Sequence, residues 1–150
     1  MRRRALLLVT VGFLLAADAP KDDASKKDLE QLQGTWGLVS AERDGKKVSE
    51  EEVKKVKLVV TGNKFRFLEG SEVGTSAEGT FTLNATKKPK ATDSTANSGP
   101  DKGKTFLGIY DIEGETHKVC FAPPGKDRPK EFATKAGSGH IVQVWKREKK

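Results

Sequence analysis

The sequence predicts an all-β protein: a small antiparallel up-and-down barrel of about eight or nine strands, with one short helix after the first strand. Three observations predict it. Short segments that alternate apolar and polar residues recur along the chain, punctuated by glycine- or proline-bearing turns about every ten residues. Two of these turns, taken as hairpins, bring apolar residues together on a common face. Helical periodicity is almost absent. Closure into a barrel also removes the exposed strand edges that so β-rich a chain would otherwise carry.

The N-terminal end is read apart from the fold. Arg2, Arg3 and Arg4 precede an apolar stretch, Ala5 to Ala17. Crossing a bilayer takes about 20 apolar residues, so this shorter stretch reads as a signal peptide over 1–17, cleaved after Ala17. A cut after Ala19 would leave Pro20 directly behind it. An uncleaved membrane anchor is the alternative. Removing three arginines lowers the formal charge from +7 to +4, so part of the basic balance belongs to targeting. Residues 18–28 are charged without an apolar face and are expected to be a tether. Residues 29–150 form one domain, periplasmic or extracellular. The only cysteine, Cys120, excludes an intramolecular disulfide and is expected in the core.

Leu29 and Leu32 suggest a single helical turn leading into Gly34. The first strand runs from Thr35 to about Arg43 and ends at the hairpin signal Asp44-Gly45. Ser49 followed by Glu50, Glu51 and Glu52 is a helix start: the serine caps, Glu52 closes a capping box, and three acids meet the positive end of the helix dipole. The helix is short because Val56 to Val60 is already β-rich. With Gly62-Asn63 as a two-residue turn, Leu58, Val60, Phe65 and Phe67 share one face and Arg66 takes the other. With Glu113-Gly114 as a turn, Tyr110 opposes His117, Gly108 opposes Val119 and Phe106 opposes Phe121. That aromatic face is the expected interior, with Leu107, Ile109 and Cys120 on the other side.

Gly79 to Asn84 alternates with Phe81 and Leu83 inward. Lys87 to Lys104 is polar and holds one strand around Lys90 to Thr95, expected at a sheet edge, followed by a loop. Ala122 to Pro129 is a rigid turn, because its prolines cannot donate to a ladder. Lys130 to Thr134 and His140 to Arg147 are expected to pair as a last hairpin.

Catalytic patterns are missing. Cys120 and His117 are three apart on one strand, so they point to opposite faces and cannot form a nucleophile–base dyad. Ser49 is a cap and Ser138 sits in a glycine turn. Two histidines and one cysteine, without ligand spacing, do not make a zinc site. The expectation is therefore no enzyme, no cofactor and no metal. Tyr110 and His117 are the polar pair on the aromatic face. Either they satisfy each other, or a water, in a filled core, or with Phe106 and Phe121 they orient a ligand in the barrel. The lysine clusters read as a solvated face or as a weak attraction for an anionic envelope component. Nucleic-acid binding is not expected, because the aromatics it would need outside are assigned to the interior.

Gly34-Thr35-Trp36 resembles the Gly-x-Trp element that opens lipocalin-like barrels, and the continuation Leu38 to Glu42 is similar to bacterial lipocalin-like domains. The resemblance implies that Trp36 closes one end of the barrel and that Arg147, near the end of the last strand, covers its ring. A second resemblance spans nearly all of the chain after the signal. Leu32 to Trp36, Lys57 to Phe65, Gly79 to Leu83, Gly103 to Tyr110 and Cys120 to Phe132 are similar to an uncharacterised domain family of small exported planctomycete proteins. It implies a lipocalin-like fold and export, and carries no reaction or ligand. Thr92 departs from it, where an apolar residue is expected.

The leading expectation is a monomeric, exported, non-enzymatic barrel that binds a small apolar molecule in its interior. The alternative is a structural or interaction module of the cell envelope with a filled core, acting through its outer surface.

Overall fold

A computed structural model describes residues 22–68 and 78–149. The signal segment expected at 1–17 lies outside the described residues. The elements run α1 (Asp23–Leu32), β1 (Gly34–Arg43), β2 (Lys46–Lys47), α2 (Glu50–Val53), β3 (Lys57–Thr61), β4 (Lys64–Leu68), β5 (Glu78–Asn84), β6 (Ala91–Ala96), β7 (Thr105–Glu113), β8 (Thr116–Phe121) and β9 (Ile141–Arg147). All pairings are antiparallel. β1 and β3 to β9 follow one another around a ring, and β9 returns to pair with β1, so eight strands close a barrel. β2 is an additional two-residue strand on the end of β1. The small lipocalin-like barrel expected from the sequence is the fold.

Local chemistry sets the details. Ser49 caps α2 by accepting from the Glu52 N–H, and three glutamates fill the first turn, as expected. The Gly62-Asn63 hairpin has the expected register: Val60 opposes Phe65 and Leu58 opposes Phe67. Gly62 supplies the positive φ, 59°, that the first central position of a II′ turn requires. Along β1 the ladder to β9 skips Val39, between Leu38↔Trp145 and Ser40↔Val144. This bulge turns Val39 outward, and it is the one exposed large apolar side chain among the described residues. Inside the ring, Trp36, Leu38, Leu58, Val60, Phe81, Leu83, Val119 and Trp145 form the core. Each fully buried side chain of the Val, Leu or Phe kind contributes about 1.5 to 3 kcal/mol.

Four expectations are corrected. First, the tether gives way to a helix. From Asp23 onward the segment is α1, with Asp22 as N-cap accepting from the Ser25 N–H at 2.7 Å. Its buried positions are Ser25, Asp28 and Leu32, so its inner face is largely polar and each polar group has a partner in the barrel. The Ser25 hydroxyl accepts from the Ala85 N–H at 2.8 Å. Second, the β7–β8 turn is Gly114-Glu115, one residue later than expected. Tyr110 therefore opposes Val119, and His117 opposes Ile112. A II′ turn takes glycine at its first central position, and Gly114 has φ 59° while Glu115 keeps a negative φ. The shift moves each partner by two residues, so every side chain keeps the face assigned to it.

Third, β6 is not an edge strand, since it pairs with β5 and β7. Thr92 is buried there, and its hydroxyl satisfies itself by donating to the Thr82 carbonyl at 2.9 Å. Fourth, Lys130 to Thr134 is not a strand; β9 pairs with β8 and β1 instead. Residues 122–140 cross the outside of the barrel. Arg128 fastens them by donating to the carbonyls of Thr92 (2.9 Å) and Gly108 (2.8 Å), and it pairs with Asp93 at 2.6 Å. Ile109 and Cys120 point outward from the ring and are buried on that side.

Candidate functional site

The two ends of the barrel differ. The β3–β4, β5–β6 and β7–β8 connections lie at the end crossed by α1. Gln33 there clasps the Gly62 backbone, accepting from its N–H at 2.6 Å and donating to its carbonyl at 2.9 Å. Trp36 is completely buried at this end, and its indole N–H donates to the Leu32 carbonyl at 2.9 Å. Arg147 lies over the indole, 4.3 Å from the ring centroid. Its guanidinium also donates to the carbonyls of Gln33 (2.6 Å) and Gln31 and pairs with Glu115 at 3.4 Å. The lid of arginine over tryptophan that the sequence resemblance implied is present, and it ties β9 to the end of α1.

Between this closed end and the opposite mouth lies a cavity of about 110 Å³. The four residues singled out on the aromatic face, Phe106, Tyr110, His117 and Phe121, all line it. Leu32, Phe65, Phe67 and Trp145 extend the apolar wall, with Phe67 and Trp145 stacked at 6.0 Å across the barrel. Thr92, Ser94 and Gln143 add polar groups. Phe121 stands at the mouth end of β8 and partly fills the space above Gly108, where a Cβ would come within 2.6 Å of its ring.

Tyr110 and His117 are not a pair. The Tyr110 hydroxyl donates to Asp28 Oδ2 at 2.9 Å, and Lys90 Nζ donates to the same oxygen at 2.9 Å. Asp28 is 7 % exposed, so this cluster is a charge-assisted anchor for α1. Burial, and then the hydrogen bond to Asp28, push the Tyr110 phenol well above its ordinary range, so it stays protonated. Removing one donor from a buried carboxylate costs about 1 to 3 kcal/mol. Tyr110→Phe is therefore expected to lower the free energy of urea unfolding by about that much; no measurable loss would show that Lys90 alone satisfies Asp28.

His117 has a different environment. Its ring meets Trp36 edge-on at 5.7 Å, and its Nδ1 is buried with no hydrogen-bond partner among the described residues. Burial lowers its pKa from 6.5 to about 4, so the imidazole is neutral over the ordinary pH range. Cys120 lies on the other side of the sheet, as the alternation requires, and burial pushes its thiol up. Among the described residues no three His, Cys, Asp or Glu side chains converge as a metal site needs.

Asp28 and Lys90 were not picked out from the sequence. Asp28 sits in a run of charges with nothing to mark it, although Asp22 ahead of Ser25 is an N-cap pattern that would have announced the helix carrying it.

Compared with known proteins, the chain matches no family model, no curated protein and no solved structure.

Proposed function

We propose that this is an exported, monomeric, non-enzymatic barrel whose interior holds a small, largely apolar molecule. The observation that carries this reading is the cavity itself: space of about 110 Å³ with a mainly aromatic and aliphatic wall and a few polar groups. A filled core, the alternative expected for a structural module, would leave no such space. The volume also bounds the occupant. Pockets for drug-sized ligands run to about 300 to 1,000 Å³, whereas an apolar cavity of about 150 Å³ takes benzene. A single ring or a short chain is therefore the proper scale. Export is supported by the arginine-led apolar segment at 1–17, and the lysine clusters suit a weak association with anionic envelope components. The motifs shared with the uncharacterised planctomycete family support membership in it.

Native mass spectrometry on the gently purified protein tests the binding reading. A discrete added mass, lost on denaturation, is the expected result for protein taken from its own source. A bare chain that also takes up no ring-sized apolar probe would count against an open interior.

A further inference from the structure

The polar groups on the cavity wall differ in what they have left to offer. Among the described residues the wall carries no charged side chain, and its histidine is neutral. The Tyr110 hydroxyl is committed to Asp28 and the Thr92 hydroxyl to the Thr82 carbonyl, and Gln143 also has a partner. His117 Nδ1 has no partner, but surrounding atoms seal it from contact. Ser94 remains. It is buried, at 9 % exposure, and its hydroxyl has no hydrogen-bond partner among the described residues. Unlike His117 Nδ1 and Ser98 Oγ, Ser94 Oγ is not closed off by its neighbours.

Position shows where that opening leads. Ser94 stands on the inner face of β6, directly opposite Phe81 of β5 and Phe106 of β7, and all three line the cavity. A serine side chain reaches one atom beyond Cβ. Between two phenylalanines it therefore leaves room, and its hydroxyl is the floor of that room. A hydroxyl buried without a partner is costly, and its unused proton calls for an acceptor. A purely apolar occupant would leave it unsatisfied. An anionic head would be buried without a cation, and a cationic head brings no acceptor. An occupant's hydroxyl would accept, but it adds a proton of its own that needs a second acceptor. A neutral acceptor takes the serine proton and needs nothing further. We infer that the occupant is a neutral, ring-sized molecule with one hydrogen-bond acceptor, a ring nitrogen or a carbonyl oxygen, and that Ser94 donates to it. This rests on the cavity-binding reading above and narrows it.

The test uses pairs of probes that share a shape and differ in the acceptor. Pyridine against benzene examines a ring nitrogen, and cyclohexanone against methylenecyclohexane a carbonyl oxygen. Each is titrated calorimetrically into wild type, Ser94→Ala and His117→Phe, at a pH that keeps pyridine unprotonated. A net hydrogen bond in such a site is worth about threefold to tenfold in affinity. In Ser94→Ala the affinity ratio of at least one pair is expected to fall by that factor, and the pair that responds identifies the atom. His117→Phe is expected to keep the wild-type ratios. Thermal melting of the empty protein gives a second readout. Ser94→Ala deletes an unsatisfied hydroxyl, so it is expected to melt at or above the wild-type temperature. Ratios unchanged in Ser94→Ala would overturn the acceptor assignment and leave the cavity reading standing. A fall in His117→Phe instead would give the bond to the imidazole, and a lowered melting temperature in Ser94→Ala would mean that the hydroxyl has a partner within the protein; either overturns the role of Ser94. Binding of no probe by any of the three proteins would overturn both readings.

Discussion

Trp36→Ala is expected to cost about 3 to 5 kcal/mol of folding stability, enough to unfold much of the population of a small domain. The indole is completely buried, and its loss leaves a large void at the closed end. The same change strips the Leu32 carbonyl of its donor and leaves Arg147 without the ring it covers. A guanidinium over an indole contributes about 0.5 to 2 kcal/mol. Because one side chain joins α1, β1 and β9, these losses fall on the seam of the barrel. Urea unfolding of wild type, Trp36→Ala, Arg147→Ala and the double variant measures both the total and the coupling. A cost below about 1.5 kcal/mol for Trp36→Ala would mean that the closed end tolerates a void and that Trp36 is not its keystone. Additive effects of the two single changes would mean that the stacking contributes nothing.

Acid should destabilise the protein through His117. Its pKa is 6.5 when free and about 4 when folded. Above pH 6.5 both states hold the ring neutral, and no stability depends on it. Between 6.5 and 4 the unfolded chain binds the proton and the folded one does not, so stability falls as pH falls. Linkage gives a loss of about 2 kcal/mol by pH 5 and about 3 kcal/mol by pH 4, flattening below that. The cause is burial of the ring beside Trp36. Unfolding free energies measured at a series of pH values from 7 to 4, for wild type and His117→Phe, check this. The variant should lose most of the slope in that window; an equal slope in both would assign the acid sensitivity to carboxylates instead.

The parts of this protein that were legible in its sequence are those in which side-chain alternation and turn chemistry act alone. The Gly62 hairpin is one, because four apolar residues on one face leave a single register. The aromatic wall is another. The β7–β8 turn was placed one residue early, yet Phe106, Tyr110, His117 and Phe121 stayed on the inner face because a two-residue change of partner preserves it. What could not be read are features that depend on partners distant in sequence. The inner face of α1 is Ser25 and Asp28 ahead of Leu32, and a search for apolar periodicity passes over a face whose burial is made possible by the Ala85 N–H, Tyr110 and Lys90. Lys130 to Thr134 offered strand-like residues, but β9 already has β8 and β1 on its two sides, so no ladder position was left for that segment. The lone nitrogen of His117 could not have been foreseen, since it is defined by what the surrounding strands fail to supply.

The closure of β1 onto β9 also fixes an order of events. Among the described strands of the barrel, β1 leaves the ribosome first and its partner β9 last. Until residues 141–147 have been made, β1 has no neighbour on that side, and Trp36 has no Arg147 to cover it. Partial chains can form the local hairpins but not the ring. Ring closure therefore waits for the synthesis of β9, and a chain truncated before β9 leaves β1 open along the edge to which another β-strand can add.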